Sequence, residues 1–121
     1  MVKSPILVVD DEESSREMVS KILNQIGYES VTAKNGREAL EILRDKPSTI
    51  MITDIKMPEM DGLELIKSAR AEFPDTHIIC MTGHETSYPY TNLVALGAAD
   101  YITKPFTIDE MMAKLNRVIR E

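Results

Sequence analysis

The chain has 121 residues, 43% hydrophobic and 28% charged. That length holds one ordinary domain, and the composition excludes collagen-like, low-complexity and disordered classes. Against 14 basic residues stand 20 acidic ones, a formal charge of −6, so this domain is expected to have no general attraction to phosphate backbones and no direct nucleic acid binding.

No uncharged apolar stretch approaches the roughly 20 residues that cross a bilayer, and the N-terminus does not read as a secretion signal. The lone cysteine, Cys80, forms no internal disulfide. A reducing, cytoplasmic setting is the expectation.

Ile6-Leu7-Val8-Val9 is a short β-branched run that ends at Asp10 and Asp11 and predicts a buried strand. Met18, Val19, Ile22, Leu23 and Ile26 recur at helical spacing, and Gly27 follows as a C-cap. Residues 29–33 predict a second, weaker strand. Asn35-Gly36 opens a helix that carries Ala39, Leu40, Ile42 and Leu43 and that Pro47 stops.

Residues 50–54 predict a third strand, again ending in an aspartate, Asp54. After a loop over 56–62, Leu65, Ile66, Ala69 and Phe73 share a helix face that ends at Pro74. Residues 77–82 predict a fourth strand. A short helix is expected within 86–96, starting near Tyr88 because Pro89 fits only a first turn. Residues 100–103 predict a fifth strand. Thr107-Ile108-Asp109-Glu110 is a capping box, and Ile108, Met111, Met112, Leu115, Val118 and Ile119 line the last helix.

Strand and helix alternate five times, which predicts an α/β fold: a parallel sheet covered by helices on both faces. The common doubly wound, flavodoxin-like order for five strands is 2-1-3-4-5. Ligands of such sheets sit at the carboxyl ends of the strands. Those ends carry Asp10 and Asp11, Asp54, Thr82 and Lys104.

Any one of these residues has a plainer reading; Asp11, for example, suits a helix cap. Jointly, three clustered carboxylates repel one another unless a cation compensates. Hard oxygen ligands without cysteine or a placed histidine suit Mg²⁺, with Mn²⁺ as an alternative. A metal there draws in phosphate, Asp54 is placed to act as a nucleophile on phosphorus, and Thr82 and Lys104 are placed to contact the phosphoryl oxygens.

Four segments then carry a resemblance: Val8-Val9-Asp10-Asp11-Glu12, residues 53–62, Met81-Thr82-Gly83-His84, and residues 97–106. Together they resemble the receiver domain of two-component response regulators over essentially the whole chain, 1–121, as a single domain. The resemblance implies that Asp54 is the phosphoacceptor, charged by a sensor histidine kinase or histidine phosphotransfer protein. Asp10, Asp11, Asp54 and the backbone carbonyl of Lys56 would hold Mg²⁺, with Asp10 acting mainly through water. Thr82 and Lys104 would contact the phosphoryl group, and Tyr101 would be the aromatic switch. A cis peptide is implied before Pro105, with Pro58 and Gly62 shaping the loop beside the acids.

The implied output surface is the fourth helix, fifth strand and fifth helix, which could also form a homodimer. Such a chain is a phosphoacceptor that assists its own phosphorylation and dephosphorylation, not a turnover enzyme. Lys56 and His84 lie two residues beyond Asp54 and Thr82; both suit solvated loop positions, and Lys56 also suits a role in slow self-dephosphorylation. Tyr88 and Tyr90 suit either local packing around Pro89 or a partner contact.

Three rivals are weaker. A haloacid dehalogenase-like phosphatase would carry its nucleophile after the first strand with a second aspartate two positions on, where this chain has Glu12. A flavodoxin-like cofactor binder would need a Gly- or Ser-rich loop where Asp10-Asp11-Glu12-Glu13 stands. A receiver-like interaction module that works without phosphorylation would not need the full set of acids, Thr82 and Lys104.

Overall fold

The computed structural model describes residues 4–55, 62–83, 95 and 97–120. Its elements are β1 (Ile6–Val9), α1 (Glu13–Ile26), β2 (Ser30–Ala33), α2 (Gly36–Asp45), β3 (Ile50–Asp54), α3 (Gly62–Glu72), β4 (His77–Thr82), β5 (Asp100–Thr103) and α4 (Ile108–Arg120). The helix expected within 86–96, with Tyr88, Pro89 and Tyr90, lies outside the described residues except for Ala95, as do Lys56, Pro58 and His84.

The five strands form one sheet in the order β2-β1-β3-β4-β5, with every pairing parallel. Alternation splits the strand residues between two cores. Leu7, Val9, Met51, Ile78 and Cys80 pack with Leu40 and Leu43 of α2 and Leu65, Ile66 and Ala69 of α3. Ile6, Val8, Ile50, Ile52, Ile79, Met81 and Ile102 pack with Val19 and Leu23 of α1 and Met111, Leu115 and Val118 of α4. Both faces of the central strands are covered, so β1, β3 and β4 read as nearly continuous apolar runs, whereas the edge strands β2 and β5 carry polar and half-buried residues.

Local chemistry sets the element ends. Gly27 takes a left-handed φ of 113° and ends α1, and the Tyr28 N–H donates back to Leu23 O at 2.9 Å. The Asn35 side chain caps α2 by accepting from Glu38 N at 2.8 Å. Thr107 and Glu110 form the reciprocal capping box at the start of α4, at 3.0 and 3.1 Å.

Three residues assigned to apolar helix faces lie elsewhere. Met18 is 43% exposed, and Ile108 and Met112 are each 38% exposed. They flank the buried stripes, where the helix surface turns toward water. Met111, by contrast, is fully buried.

Candidate functional site

The carboxyl edge of the sheet collects the polar residues. Asp10 directly follows β1, Asp54 ends β3, Thr82 ends β4 and Lys104 directly follows β5. Carboxylate oxygens of Asp10, Asp11 and Asp54 lie within 4.8 Å of one another. Asp10 is fully buried, Asp54 is partly buried and Asp11 is exposed.

Lys104 joins two of the acids. Its Nζ lies 3.0 Å from Asp10 Oδ2 and 3.2 Å from Asp54 Oδ2. A third contact, 3.3 Å, reaches Ser15 Oγ. An ammonium has three N–H donors, and these contacts use all three. Burial opposes the charge on Lys104, but Asp10 and Asp54 outweigh it and hold its proton more tightly than usual.

Asp10 is held from several sides. Its Oδ1 accepts the Glu12 N–H at 3.0 Å, and its Oδ2 accepts the Ser15 hydroxyl at 2.5 Å. Arg16 donates to its backbone carbonyl at 2.8 Å. Burial pushes the Asp10 carboxyl up, but the bonds from Ser15, Glu12 and Lys104 prevail and hold it below the usual aspartate value.

Asp11 does not cap α1. The N-cap position is Glu12, and no side-chain bond closes it. The Glu12 N–H is taken instead by Asp10, and Asp11 extends into solvent beside the other acids.

Thr82 is buried at the other flank. Among the described residues its hydroxyl makes only long contacts within the β5 edge, 3.5 Å to Ile102 O and 3.4 Å to Thr103 Oγ1. Such bonds are weak and easily redirected. Lys104 N donates to Thr82 O at 2.6 Å, so β4 and β5 hold their two polar residues in one register. The Lys104-Pro105 bond is cis.

Tyr101 lies on β5 and packs against the core shared with α2 and α3. Its N–H donates to Asp100 Oδ1 at 2.8 Å. Asp100 is buried and meets two cations of α4, Lys114 at 3.2 Å and Arg117 at 3.4 Å. Lys114 Nζ also sits 5.0 Å from the centroid of the Tyr101 ring, a cation–π distance.

Gly62 is the close point between α3 and the site. A Cβ there would collide with Asp54 O and with Ile55 Cα, and the Gly62 N–H donates to Ile55 O at 2.7 Å. Only a glycine lets the first turn of α3 lie against the end of β3.

Sequence reasoning missed Ser15 and the Asp100 cluster. A serine in a first helical turn reads as an ordinary terminus residue. Asp100, Lys114 and Arg117 left a faint signal: two cations three positions apart on one helix, and an acid opening a strand.

A doubly wound parallel sheet with three acids, a hydroxyl and a lysine on its carboxyl edge defines a phosphoacceptor class of protein. The chain belongs to the response regulator receiver domain family, whose model matches residues 6–116.

It is 38% identical over 119 residues to the DNA-binding transcriptional regulator NtrC of Escherichia coli, covering 98% of this chain and 25% of that protein. Among solved structures, the chemotaxis protein CheY4 of Vibrio cholerae superposes with a TM-score of 0.87 at 35% identity, covering 95% of this chain and 98% of that one. The receiver domain of NtrX from Brucella abortus gives 0.89 at 31% identity, with the same coverage. The chain thus spans about a quarter of the length of NtrC and of the regulatory protein AtoC, another full-length regulator it matches. It is a receiver domain of the two-component class, and its acidic cluster is compatible with a divalent cation.

Proposed function

We propose that Asp54 accepts a phosphoryl group from a phosphohistidine of a sensor kinase or histidine phosphotransfer protein. The observation that carries this reading is the meeting of Asp10, Asp11 and Asp54 within 4.8 Å, with Lys104 Nζ 3.2 Å from Asp54. A carboxylate oxygen of Asp54 forms the new O–P bond as the P–N bond breaks; the electron pair returns to the ring nitrogen, and the imidazole leaves neutral, keeping the proton its other ring nitrogen already carries.

Asp10, Asp11, Asp54 and the carbonyl of Lys56 would hold Mg²⁺, or Mn²⁺ in its place, which supplies charge compensation to the transferring phosphoryl group. The three acids, with no cysteine or histidine grouped with them among the described residues, fit such an ion. The chain acts once per donor rather than as a turnover enzyme.

After transfer, Lys104 turns from Asp10 toward the phosphoryl oxygens, and the Thr82 hydroxyl leaves its weak contacts on β5 to donate to them. Tyr101 follows into the space Thr82 vacates. A two-state equilibrium thereby shifts and alters the surface of residues 86–96, β5 and α4, which contacts an output partner or a second copy. Moving it from 1:99 to 99:1 takes roughly 5.5 kcal/mol, and two charge-assisted hydrogen bonds at about 1.5–3 kcal/mol each supply most of that.

The charge of −6 supports the view that nucleic acid contact, where a longer regulator makes it, falls outside this domain. A single buried cysteine suits work in the reducing cytoplasm. Among the described residues no helix is long and apolar enough to cross a membrane.

The test is the intact mass after incubation with a small phosphodonor and Mg²⁺, beside an Asp54→Asn variant. The expected result is a metal-dependent gain of one phosphoryl group in wild type alone. No gain in wild type, from a small donor or from phosphorylated kinase, would turn the reading to an interaction module that works without phosphorylation.

A further inference from the structure

We propose that Ser15 is a positioning residue that weakens the hold of Asp10 on a divalent cation by keeping a hydrogen bond to its carboxylate. The proposal rests on the cation site described above. Ser15 is the third residue of α1, and its Oγ touches both Asp10 Oδ2, at 2.5 Å, and Lys104 Nζ, at 3.3 Å.

The polarity of this triangle is fixed by chemistry. Lys104 has donors only, so Ser15 accepts from it. A hydroxyl has one hydrogen, and that hydrogen goes to the carboxylate of Asp10. Lys104 donates to the same Oδ2 at 3.0 Å. Both lone pairs of Oδ2 are therefore taken, and one of the two on Oδ1 is taken by the Glu12 N–H.

Any cation that engages Asp10 through Oδ2 must displace a donor. Lys104 yields first, because it keeps its existing partner Asp54, 3.2 Å away, when it releases Asp10. Ser15 is fixed to the first turn of α1 by its short side chain and stays. Its hydroxyl thus holds the Asp10 carboxylate in one orientation and takes electron density that a cation would otherwise use. When Lys104 turns to a phosphoryl group, Ser15 keeps the buried Asp10 partnered, so that residue is never left with a bare charge.

The experiment measures Mg²⁺ dissociation constants by isothermal titration calorimetry, with no phosphodonor present, for wild type, Ser15→Ala, Ser15→Thr and Asp11→Asn. Alanine is a better helix former than serine, so the first variant retains the fold. Ser15→Ala is expected to bind Mg²⁺ about five- to tenfold more tightly, Ser15→Thr to match wild type, and Asp11→Asn to bind much more weakly.

Equal or weaker binding by Ser15→Ala overturns the role of Ser15 while leaving the cation site intact. Tighter binding by both Ser15 variants also overturns it, since the hydroxyl would then not be the cause. Absence of Mg²⁺ binding in wild type overturns the site itself, and the proposal with it.

Discussion

Gly62→Ala separates helix propensity from packing. Propensity favours alanine by up to about 1 kcal/mol in a helix interior, and by less in a first turn. Packing opposes it, because the new Cβ would collide with Asp54 O and Ile55 Cα and lie 3.0 Å from Ile55 O. These are backbone atoms of a strand end bonded to its neighbours, so they cannot swing away as a side chain would.

Restoring ordinary contact requires a displacement of about 1 Å, and overpacking of this kind costs about 1–3 kcal/mol or more. Packing therefore prevails, and the net loss is about 1–3 kcal/mol, or roughly 4–12 °C in Tm for a domain of this size. The displaced atoms carry Asp54, so phosphorylation by a small donor should slow by about 10- to 100-fold.

Gly27→Ala is the control. Its φ is 113° with nothing within 4 Å of a new Cβ, so it costs about 1–2 kcal/mol through backbone strain alone and leaves phosphorylation unchanged. Urea midpoints and phosphorylation rates for both variants check this. A Gly62→Ala protein as stable as wild type, with an unchanged rate, would refute the reasoning.

Three further outcomes are expected. Asp10 is held below the usual carboxylate value, so its contribution to stability is present above about pH 3.9 and is lost as pH falls through its lower folded value; the stability gap between wild type and Asp10→Asn, followed by urea unfolding, should close across that acid window. Burial pushes the Cys80 thiol up to about 12, so a thiol reagent should leave the native chain unlabelled near neutral pH and modify it at the rate of unfolding. Arg44 and Glu72 join α2 to α3 at 2.7 Å on the exposed surface, and Glu72→Ala should barely move the unfolding midpoint, because solvent screens such pairs.

The parts of the fold legible in the sequence are those where one physical cause acts alone. β3 and β4 match their predicted ranges residue for residue, because a strand buried on both faces has no solvent edge to blur it; β5, a half-buried edge strand, also keeps its predicted range. Helix faces were less legible. Met18, Ile108 and Met112 follow helical spacing but lie at the rims of their stripes, and periodicity gives the direction of a face without its width. The acids, Thr82 and Lys104 were legible because strand ends are where topology gathers side chains. Ser15 was not, because its role depends on how α1 leaves β1, and that turn is fixed by Asp10 accepting the Glu12 N–H rather than by a cap at Asp11.

The charge balance of the site explains why Lys104 lies between two acids. Two carboxylates about 4 Å apart repel by about 4 kcal/mol at an effective dielectric of 20. Asp10, Asp11 and Asp54 stand within such reach of one another, and Lys104 offsets one negative charge of the three. It takes the two less exposed acids, at 3.0 and 3.2 Å, where an unpaired charge costs most. Asp11 is left to water. A phosphoryl group on Asp54 replaces that carboxylate's charge with about −1.5 to −2, so the arriving charge exceeds what one ammonium can balance. The same deficit that makes these acids suitable for a divalent cation therefore makes Lys104 movable. A cation held by these carboxylates would supply the charge that Asp10 now takes from Lys104, and the lysine would then be available to the phosphoryl oxygens of a phosphorylated Asp54.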